Sequence, residues 1–417
     1  MKSPSGILNF YYGLPHTMRG NIIRLNVIKF SKWFSLVMPV IFPFYTENHL
    51  SITEIMALKS VYSMVIVALE LPSGYFADVL GRKKTLVIGS VLAAAGFIIY
   101  SFTHCYVGFL LAEMALGAGQ SFISGADSAM LYDTLASGNR QDEYTRYEGI
   151  NASIGNFSEA FAGLTGGALA VISLRFPFYI QAIIASTAIP AALTLTEPAI
   201  YSKETRTRRF RDIVTVLKRI VLHEKDLRFN LLFSSIIGAA TLLMAWFVQP
   251  LFEKMLLPLA FYGIVWTALN LFTGGSSILA DTIEKKLGES ATLKVIAVFI
   301  PALMVISGLI PVVTIIPLLV IFYLLRGIAT PVLKDYINKQ TGSDVRATVM
   351  SLRDLVIRVF FSLFAPLAGW LTDNYSLGTG LAVSGSLIMI LSLTTLILFI
   401  SNGNKKRLSP ASNKNDF

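Results

Sequence analysis

The sequence predicts an all-α integral membrane protein with twelve transmembrane helices in two pseudo-symmetric bundles of six. Three observations predict it: few charged residues, twelve long apolar runs, and one polar break that separates these runs into two sets of six. Only 14% of the 417 residues are charged and 54% are hydrophobic, with a mean hydropathy of +0.64. A soluble domain carries about 25% charged residues, so much of this surface must face lipid.

Each apolar run is long enough to cross a bilayer as a helix. About 20 mostly apolar residues cross roughly 30 Å of hydrocarbon. Barrel strands do not fit, because they would be about ten residues long with alternating polarity. The predicted spans are 21–45, 54–78, 84–103, 106–135, 145–172, 176–196, 229–252, 258–282, 292–311, 315–338, 347–372 and 378–401.

The polar break gives the domain organisation. We expect an N-terminal bundle at 1–196, a basic cytoplasmic linker at 197–228, a C-terminal bundle at 229–402 and a disordered cytoplasmic tail at 403–417. The linker is either a solvated tether or, in part, an amphipathic helix on the inner leaflet. The halves resemble each other weakly, since Ala77-Asp78 at the end of span two recurs as Ala280-Asp281 at the end of span eight.

The positions of Lys and Arg predict the orientation. The loops on one side hold most of the basic residues, among them Lys83 and Lys285, whereas the opposite loops hold only Arg175 and Lys254. The positive-inside rule therefore places both termini in the cytoplasm, as an even number of spans also requires. The net charge of +10 reflects this asymmetry, and we expect no nucleic-acid partner.

No residue pattern indicates a cofactor, a metal site or enzymatic chemistry. Cys105 is the only cysteine and the four histidines are scattered, which predicts neither a disulfide nor a metal centre. The sequence has no phosphate-binding Gly-x4-Gly-Lys-Ser/Thr loop and no nucleophile–base set. We therefore expect a monomer that is not an enzyme and uses no cofactor.

The most specific motif, Gly74-x3-Asp78-x2-Gly81-Arg82, lies between spans two and three. Gly74 lets another helix approach closely. Asp78, one turn later, suits the N-terminus of a neighbouring helix, and Gly81 permits a tight turn. In sequence and position the motif is similar to the loop 2–3 signature of the major facilitator superfamily, a resemblance that the span count extends to nearly the whole chain.

This resemblance implies alternating access, with a substrate site near the membrane midplane between two halves. It also implies a cytoplasmic latch, in which Asp78 lies beside the start of span eleven near Arg346. Arg82 would then reach a carboxylate on span four, either Asp133 or, as the alternative, Asp127. In other motifs the chain resembles a bacterial branch of the superfamily whose substrates are mostly unassigned.

Charged residues inside the spans are further candidates, because each costs at least about 2.5–3.5 kcal/mol without a partner or a wet cavity. Glu70, Glu113 and Glu159 have no oppositely charged residue three or four positions away. They are candidate proton carriers, since desolvation favours the protonated form of a carboxyl group.

Basic residues in the spans are candidates for binding an anionic substrate. They are Lys29 in the first half and Arg326, Arg353 and Arg358 in the second. Arg326 has no acidic neighbour at helical spacing, whereas Asp354 and Arg358 are four residues apart and could pair on one helix face.

The expected function is therefore secondary active transport of a small organic solute across the inner membrane of a bacterium, with protons as the coupling ion. Export and import stay open, as do anionic and polycarboxylate or metal-chelator (siderophore-like) substrates. One alternative is a non-transporting sensor or receptor on a carrier scaffold. Another is a multidrug efflux antiporter, although Glu113 stands where many proton-driven exporters have arginine.

Overall fold

The protein is almost entirely α-helical over the residues that the structure, a computed structural model, describes: 15–198, 224–311, 314–342 and 345–408. The first eight helices are α1 (His16–Trp33), α2 (Ile41–Glu47), α3 (Ile52–Leu80), α4 (Arg82–Phe102), α5 (Tyr106–Ile123), α6 (Ala126–Ala136), α7 (Tyr144–Ala170) and α8 (Phe176–Leu193). The others are α9 (Lys225–Lys254), α10 (Tyr262–Leu287), α11 (Glu289–Leu309), α12 (Ile315–Lys339), α13 (Arg346–Asn374) and α14 (Leu377–Leu408). Single 3₁₀ turns at Gln141–Glu143 and Leu259–Phe261 precede α7 and α10.

The helices have the length and composition of a multi-pass membrane protein. Within the described ranges, ten helical segments are long and apolar enough to cross a bilayer. The predicted spans one and five fall outside these ten. Helix α1 carries Arg19, Arg24, Lys29 and Lys32, whereas α7 is less apolar because it is rich in glycine, asparagine and serine. The all-α membrane fold is thus confirmed, and the ten segments together with α1 and α7 are consistent with twelve spans.

The first predicted span, 21–45, is wrong as one continuous helix. It consists of α1 and α2 with a non-helical segment at 34–40 between them. Pro39 disfavours helical geometry at the residue before it, and the N–H of Leu36 binds Gln181 Oε1 at 2.8 Å instead of a helical carbonyl. The Leu36 carbonyl lies so close to Gly166 on α7 that a Cβ there would be 2.0 Å from it.

The fourth predicted span, 106–135, is also wrong as one continuous helix. It breaks into α5 and α6 at Gly125, whose φ of +81° is unfavourable for residues with a side chain. The break places Asp127 in the first turn of α6, where a negative charge is favoured by the unpaired N–H groups.

The chain divides into two compact units. Unit 1 comprises Met1–Asn48, Met64–Arg208 and Leu259–Ile264. In it, α4 packs closely on α5 through glycines, because a Cβ at Gly119 would lie 2.9 Å from the carbonyl oxygen of Gly89. The short segment Leu259–Ile264 belongs to this unit since Gly263 packs directly on the backbone of Gly163 and Gly167. Small residues thus set the helix spacing, as is usual in membrane bundles.

Unit 2 comprises His49–Ser63, Arg209–Pro258 and Val265–Phe417. Its central helix is α9. In the most apolar 18-residue stretch of this helix, 72% of the residues are buried. The helices α11 and α14 meet at Gly308 and Gly378, where an added Cβ would lie 2.4 Å or less from the facing carbonyl. The start of α3 belongs to this unit because it packs on Gly369 of α13, where an added Cβ would be 2.8 Å from Thr53 Cα.

The linker and the tail are described only in part. The amphipathic helix considered for 197–228 falls largely on 199–223, which lie outside the described residues. The last helix, α14, continues past the expected bundle end at 402 as far as Leu408.

Candidate functional site

Arg82 directly follows the turn at Gly81 in unit 1. Its guanidinium lies between the carboxylates of Asp78 and Asp133. Its Nε donates to Asp133 Oδ2 at 2.6 Å, and its Nη1 is 3.9 Å from Asp78 Oδ1. The Arg82 side chain is only 13% exposed, so these interactions are partly shielded from water. Of the two carboxylates considered on span four, the structure brings Asp133 to Arg82, whereas Asp127 pairs with Lys29.

The Gly81 turn is also held by Glu197, which the sequence analysis did not single out. The two carboxylate oxygens of Glu197 accept hydrogen bonds from the backbone N–H groups of Arg82 and Lys83, each at 2.8 Å. They satisfy the first N–H groups of α4, where negative charge is favoured. Gly81 has a φ of +96°, and an added Cβ would lie 3.2 Å from the Glu197 carboxylate, so a side chain here would be both strained and crowded.

The close helix approach expected at Gly74 stays a prediction. Within the described residues, an added Cβ at this position would meet no atom within 4 Å. The surrounding residues Tyr75 and Phe76 are exposed. The contact of Asp78 with the start of span eleven stays a prediction.

Lys29, a predicted substrate-binding residue, is engaged inside unit 1. Its Nζ lies 3.4 Å from Asp127 Oδ2, and the two side chains are 13% and 6% exposed. A buried ion pair of this kind has no free charge to offer to a substrate unless Asp127 releases it.

Glu113, a candidate proton carrier, is 2% exposed and held by two phenols. The Tyr45 hydroxyl donates to Glu113 Oε1 at 2.9 Å, and the Tyr100 hydroxyl contacts the same oxygen. The aromatic rings of Phe44 and Phe109 pack around the two tyrosines. The two hydroxyl groups thus give this buried carboxyl group hydrogen-bond partners in an otherwise apolar place.

The other two candidate carriers, Glu70 and Glu159, are half-buried. Neither is without an interaction partner. Their role as proton carriers, like that of Glu113, stays a prediction.

The three candidate arginines of unit 2 have different surroundings. Arg353 is buried, its Nε donating to Ser234 Oγ on α9 at 2.6 Å and its Nη1 to Asp354 Oδ1 at 3.0 Å. The pairing considered for Asp354 and Arg358 is therefore not made, because the guanidinium of the adjacent Arg353 binds this carboxylate. Arg326 stacks over the ring of Tyr323, with 5.3 Å from Cζ to the centroid.

Arg358 is half-buried on α13. Its carbonyl accepts from Ser362 Oγ at 2.8 Å, but its guanidinium has no acidic partner among the residues that the structure describes. Arg326 likewise has no recorded carboxylate partner in the described ranges. These two arginines can therefore receive an anionic group without giving up an ion pair.

A cavity of about 700 Å³ runs along one face of α7 in unit 1. Its walls combine a basic group, small hydroxyl and glycine positions, and an exposed aromatic ring. The lining residues are Arg146, Gly149, Ile150, Ser153, Ile154, Phe157 and Ser158. Such a mixed polar and aromatic lining suits a small organic molecule. No group of three or more potential metal ligands occurs among the described residues.

A sequence model of the Major Facilitator Superfamily matches residues 33–360. This match covers most of the chain and includes the Gly74–Arg82 motif. The chain belongs to the major facilitator superfamily. It is therefore a membrane transporter by family, and family and fold point away from an enzyme.

Solved structures of the superfamily share the fold. The crystal structure of the nucleoside transporter NupG superposes with a TM-score of 0.71 at 16% identity, covering 93% of this chain and 99% of NupG. A D-xylose–proton symporter gives 0.67 at 14% identity, over 91% and 96% of the two chains. A bacterial homologue of the human lysosomal transporter Spinster, inward-facing and occupied, gives 0.68 at 13%, over 94% and 98%.

A short segment of the chain is similar to the methyl viologen resistance protein SmvA of Salmonella typhimurium, in strains 14028s and LT2. The identity is 26% over 116 residues, which are 28% of this chain and 23% of SmvA. The chain thus matches only about a quarter of the length of these relatives.

Proposed function

We propose that this superfamily member is a proton-coupled secondary transporter that moves a small organic solute across a bacterial inner membrane by alternating access. The observation that carries the proposal is the set of ionisable side chains kept inside apolar helices at a cost of several kcal/mol each. Lys29, Asp127 and Glu113 are nearly buried and make specific polar contacts. Both termini are taken to be cytoplasmic, from the distribution of Lys and Arg.

Proton coupling rests on the carboxylates of the first half. Glu70, Glu113 and Glu159 are the proposed carriers, and a membrane-embedded carboxylate can change charge as its surroundings open and close. The proposal is supported by a solved protein of the same fold that is named a D-xylose–proton symporter.

The proposal that the substrate is anionic rests on Arg326 and Arg358. Both guanidinium groups lie in the membrane helices of unit 2 and have no recorded carboxylate partner in the described chain. Arg353 and Lys29 remain proposed substrate residues, but each would first have to leave its present partner. The planar guanidinium binds carboxylate or phosphate groups with two parallel hydrogen bonds. The proposed substrates therefore include polycarboxylates and metal chelates that present carboxylate groups.

The second candidate function is multidrug efflux. The segment similar to a methyl viologen resistance protein favours it, and the exposed ring of Phe157 in the α7 cavity suits a planar apolar compound. A sensor or receptor role on the same scaffold is the remaining alternative, and it is distinguished by binding without net transport.

Uptake of pooled radiolabelled solutes into proteoliposomes tests the substrate class. We expect one anionic pool to accumulate, with Arg326→Ala and Arg358→Ala each lowering uptake at least about tenfold, as loss of a charged binding contact does. The control is Lys285→Ala, an exposed basic residue paired with Asp281 at 2.7 Å. Unchanged uptake in both arginine variants would exclude the anionic substrate, and accumulation of only cationic aromatic compounds would favour efflux.

A further inference from the structure

A cluster of polar side chains lies inside unit 1 where α1, α6 and α7 meet. Lys29 on α1 contacts Asp127 on α6, with 3.4 Å between Nζ and Oδ2. The next residue, Ser128, donates through Oγ to Glu148 Oε1 on α7 at 2.9 Å. The four side chains thus form one continuous polar path across three helices. Glu148 was not among the residues singled out from the sequence.

Two members of this region have buried atoms that lack partners. Glu148 Oε2 is buried and makes no hydrogen bond with any described residue. Asn151, one turn further along α7, is 2% exposed, and neither its Oδ1 nor its Nδ2 has a partner within the described ranges. Leaving such a group unsatisfied is unfavourable, because it loses its hydrogen bonds to water on burial. Buried polar groups are nearly always paired, so these atoms indicate an occupant such as water or an ion.

The packing of α1 on α7 puts these atoms at one level. Trp33 of α1 faces Gly155 of α7, where an added Cβ would be 3.2 Å from the indole ring, and Leu36 faces Gly166 further along. The two helices therefore run in the same direction. Lys29 is one turn before Trp33, and Asn151 is one turn before Gly155, so Asn151 lies level with the Lys29–Asp127 pair.

We propose that Lys29, Asp127, Glu148 and Asn151 form a proton-binding site, in which Glu148 takes up the proton. One ammonium and two carboxylates leave one uncompensated negative charge in a buried place, which a single proton neutralises. A protonated Oε2 donates to Asn151 Oδ1, directly or through one water with several polar partners. A metal ion fits less well, because the nearby Lys29 ammonium repels it.

Other ionisable groups near Glu148 do not supply the missing partner. Tyr144 interacts electrostatically with both Asp127 and Glu148, but its hydroxyl lies on the Ser128 side. The remaining ionisable side chains on α7 and on the described elements packed against it are His16, Arg19, Arg24 and Lys32 on α1, Tyr132 and Asp133 on α6, Asp142 and Glu143 in the 3₁₀ turn, Arg146, Tyr147 and Glu159 on α7 itself, and Tyr179 on α8; the segment Leu259–Phe261 carries none.

Proton binding is measured on the purified full-length chain, without any substrate. In a variant that keeps Trp33 as its one tryptophan, the indole reports on the helix turn next to the site. We expect its fluorescence to change as the pH is lowered and the site takes up a proton, and infrared difference spectra to show a protonated carboxylic acid at the lower pH. Glu148→Gln should abolish both signals. Replacing choline, the inert cation of the buffer, by sodium should leave both signals of the unmutated site unchanged.

The matched control is Glu143→Gln, which removes a partly exposed carboxylate paired with Arg140 at 2.6 Å and should leave both signals intact. Asn151→Leu provides a second variant, which should shift the midpoint of the pH-dependent signals even if Glu148→Gln folds poorly. An unchanged carboxylic-acid band in Glu148→Gln, or a response to sodium instead of pH, would overturn the proposal.

The inference deepens the proposed proton coupling, and its role in transport rests on that function. Proton binding without any proton-coupled transport would refute the proposed function and leave the site in place. Proton-coupled transport that persists in Glu148→Gln would refute the coupling role of this site and leave the proposed function in place.

Discussion

Arg82 connects three helical and loop segments around the Gly81 turn. Its guanidinium contacts Asp133 on α6 and lies near Asp78 on α3, while its own N–H binds Glu197. Removing the guanidinium would leave Asp78 and Asp133 as two partly buried negative charges without their shared cation. The loss of an interaction therefore adds to a new repulsion.

Arg82→Ala tests this arrangement against Asp133→Ala and the double variant. We expect the single substitutions to be non-additive by about 0.5–3 kcal/mol in the free energy of unfolding, as residues in direct contact are. Thermal unfolding of the purified protein measures the cycle. Lys84→Ala, at an exposed position two residues away, should have little effect. Additivity within about 0.3 kcal/mol would show that the pair is not energetically coupled.

At this scale, local patterns predicted the contacts that lie in a recognisable motif and missed those made at long range. Arg82 and Asp133 were expected together because the motif implies a partner on span four. Glu197 lies 115 residues from Arg82 along the chain, and Glu148 and Ser128 are on different helices. Neither pairing can be predicted from the spacing of the residues in the sequence. Asp354 binds Arg353 and not Arg358, which helical spacing alone could not predict because it does not give the side-chain orientations.

The broken helices are the main features at the scale of elements. Gly125 interrupts span four with a φ of +81°, and nothing lies within 4 Å of the position of a Cβ. A side chain at this site is therefore disfavoured by backbone conformation and not by crowding. The break sets the direction of α6 and with it the position of Asp127.

Gly125→Ala should destabilise the protein by about 1–2 kcal/mol, the cost of a left-handed backbone for a residue with a Cβ. The control is Gly274→Ala in the helix α10, where space is also open but the backbone is helical, so that alanine should stabilise by up to about 1 kcal/mol. Melting temperatures of the two variants should shift in opposite directions. A shift of the same sign would argue against conformational strain at Gly125.

The first turn of α3 is capped by side chains from α3 itself and from α13. Ser51 and Glu54 cap it reciprocally, with Ser51 N–H bound to Glu54 Oε2 at 2.9 Å and Glu54 N–H to Ser51 Oγ at 3.2 Å. Asp373 at the end of α13 accepts from the Ile52 and Thr53 N–H groups at 3.1 and 2.8 Å. The carboxylate thus satisfies two of the unpaired donors that every helix N-terminus has.

Asp373→Ala should lower the free energy of unfolding by about 1 kcal/mol, the usual effect of losing a cap. Asp281→Ala serves as its control, because that carboxylate is 70% exposed and pairs only with Lys285 one turn away. Chemical denaturation of the two variants provides the measurement. Equal stabilities would mean that Asp373 contributes no more than an ordinary surface charge.

Hydropathy predicted where the helices lie but not where they break. A window of about 20 residues averages over a single glycine or proline, so 21–45 and 106–135 each read as one span. Gly125 and Pro39 were visible in the sequence, but glycine and proline also occur inside intact membrane helices. The Leu36 contact with Gly166 that fixes the first break is tertiary.

For the whole molecule, span count, charge distribution and motif position together were sufficient to predict the superfamily fold. These signals are spread over the entire chain, so no single local error removes them. The division into compact units was less predictable, because residues 49–63 and 259–264 each group with the opposite sequence half. Their grouping is decided by contacts at Gly369 and Gly167 that no sequence spacing reveals.

The predicted orientation can be tested at Cys105, the one cysteine of the chain. It is exposed in the short segment before α5, on the predicted outer side. Hydrogen bonding from the Gly108 backbone, with a further contribution from Thr103, lowers the pKa of the Cys105 thiol. A lower pKa gives more thiolate near neutral pH, and the thiolate is the species that reacts.

A membrane-impermeant maleimide should therefore label Cys105 in intact cells. The matched control is Gln141→Cys in a Cys105→Ser background, which places one cysteine in the exposed loop on the predicted cytoplasmic side and should react only after the cells are opened. Labelling of the second site but not the first in intact cells would invert the topology.

Substrate-driven proton movement is the most direct test of the proposed transport function. Purified protein in liposomes with an imposed pH gradient would be given pooled anions, cations and neutral metabolites while the internal pH is followed. We predict that one pool causes proton flux, and that Glu70→Gln or Glu113→Gln abolishes it. Normal solute uptake with no proton movement in any active pool would contradict proton coupling and leave a uniporter or another driving ion.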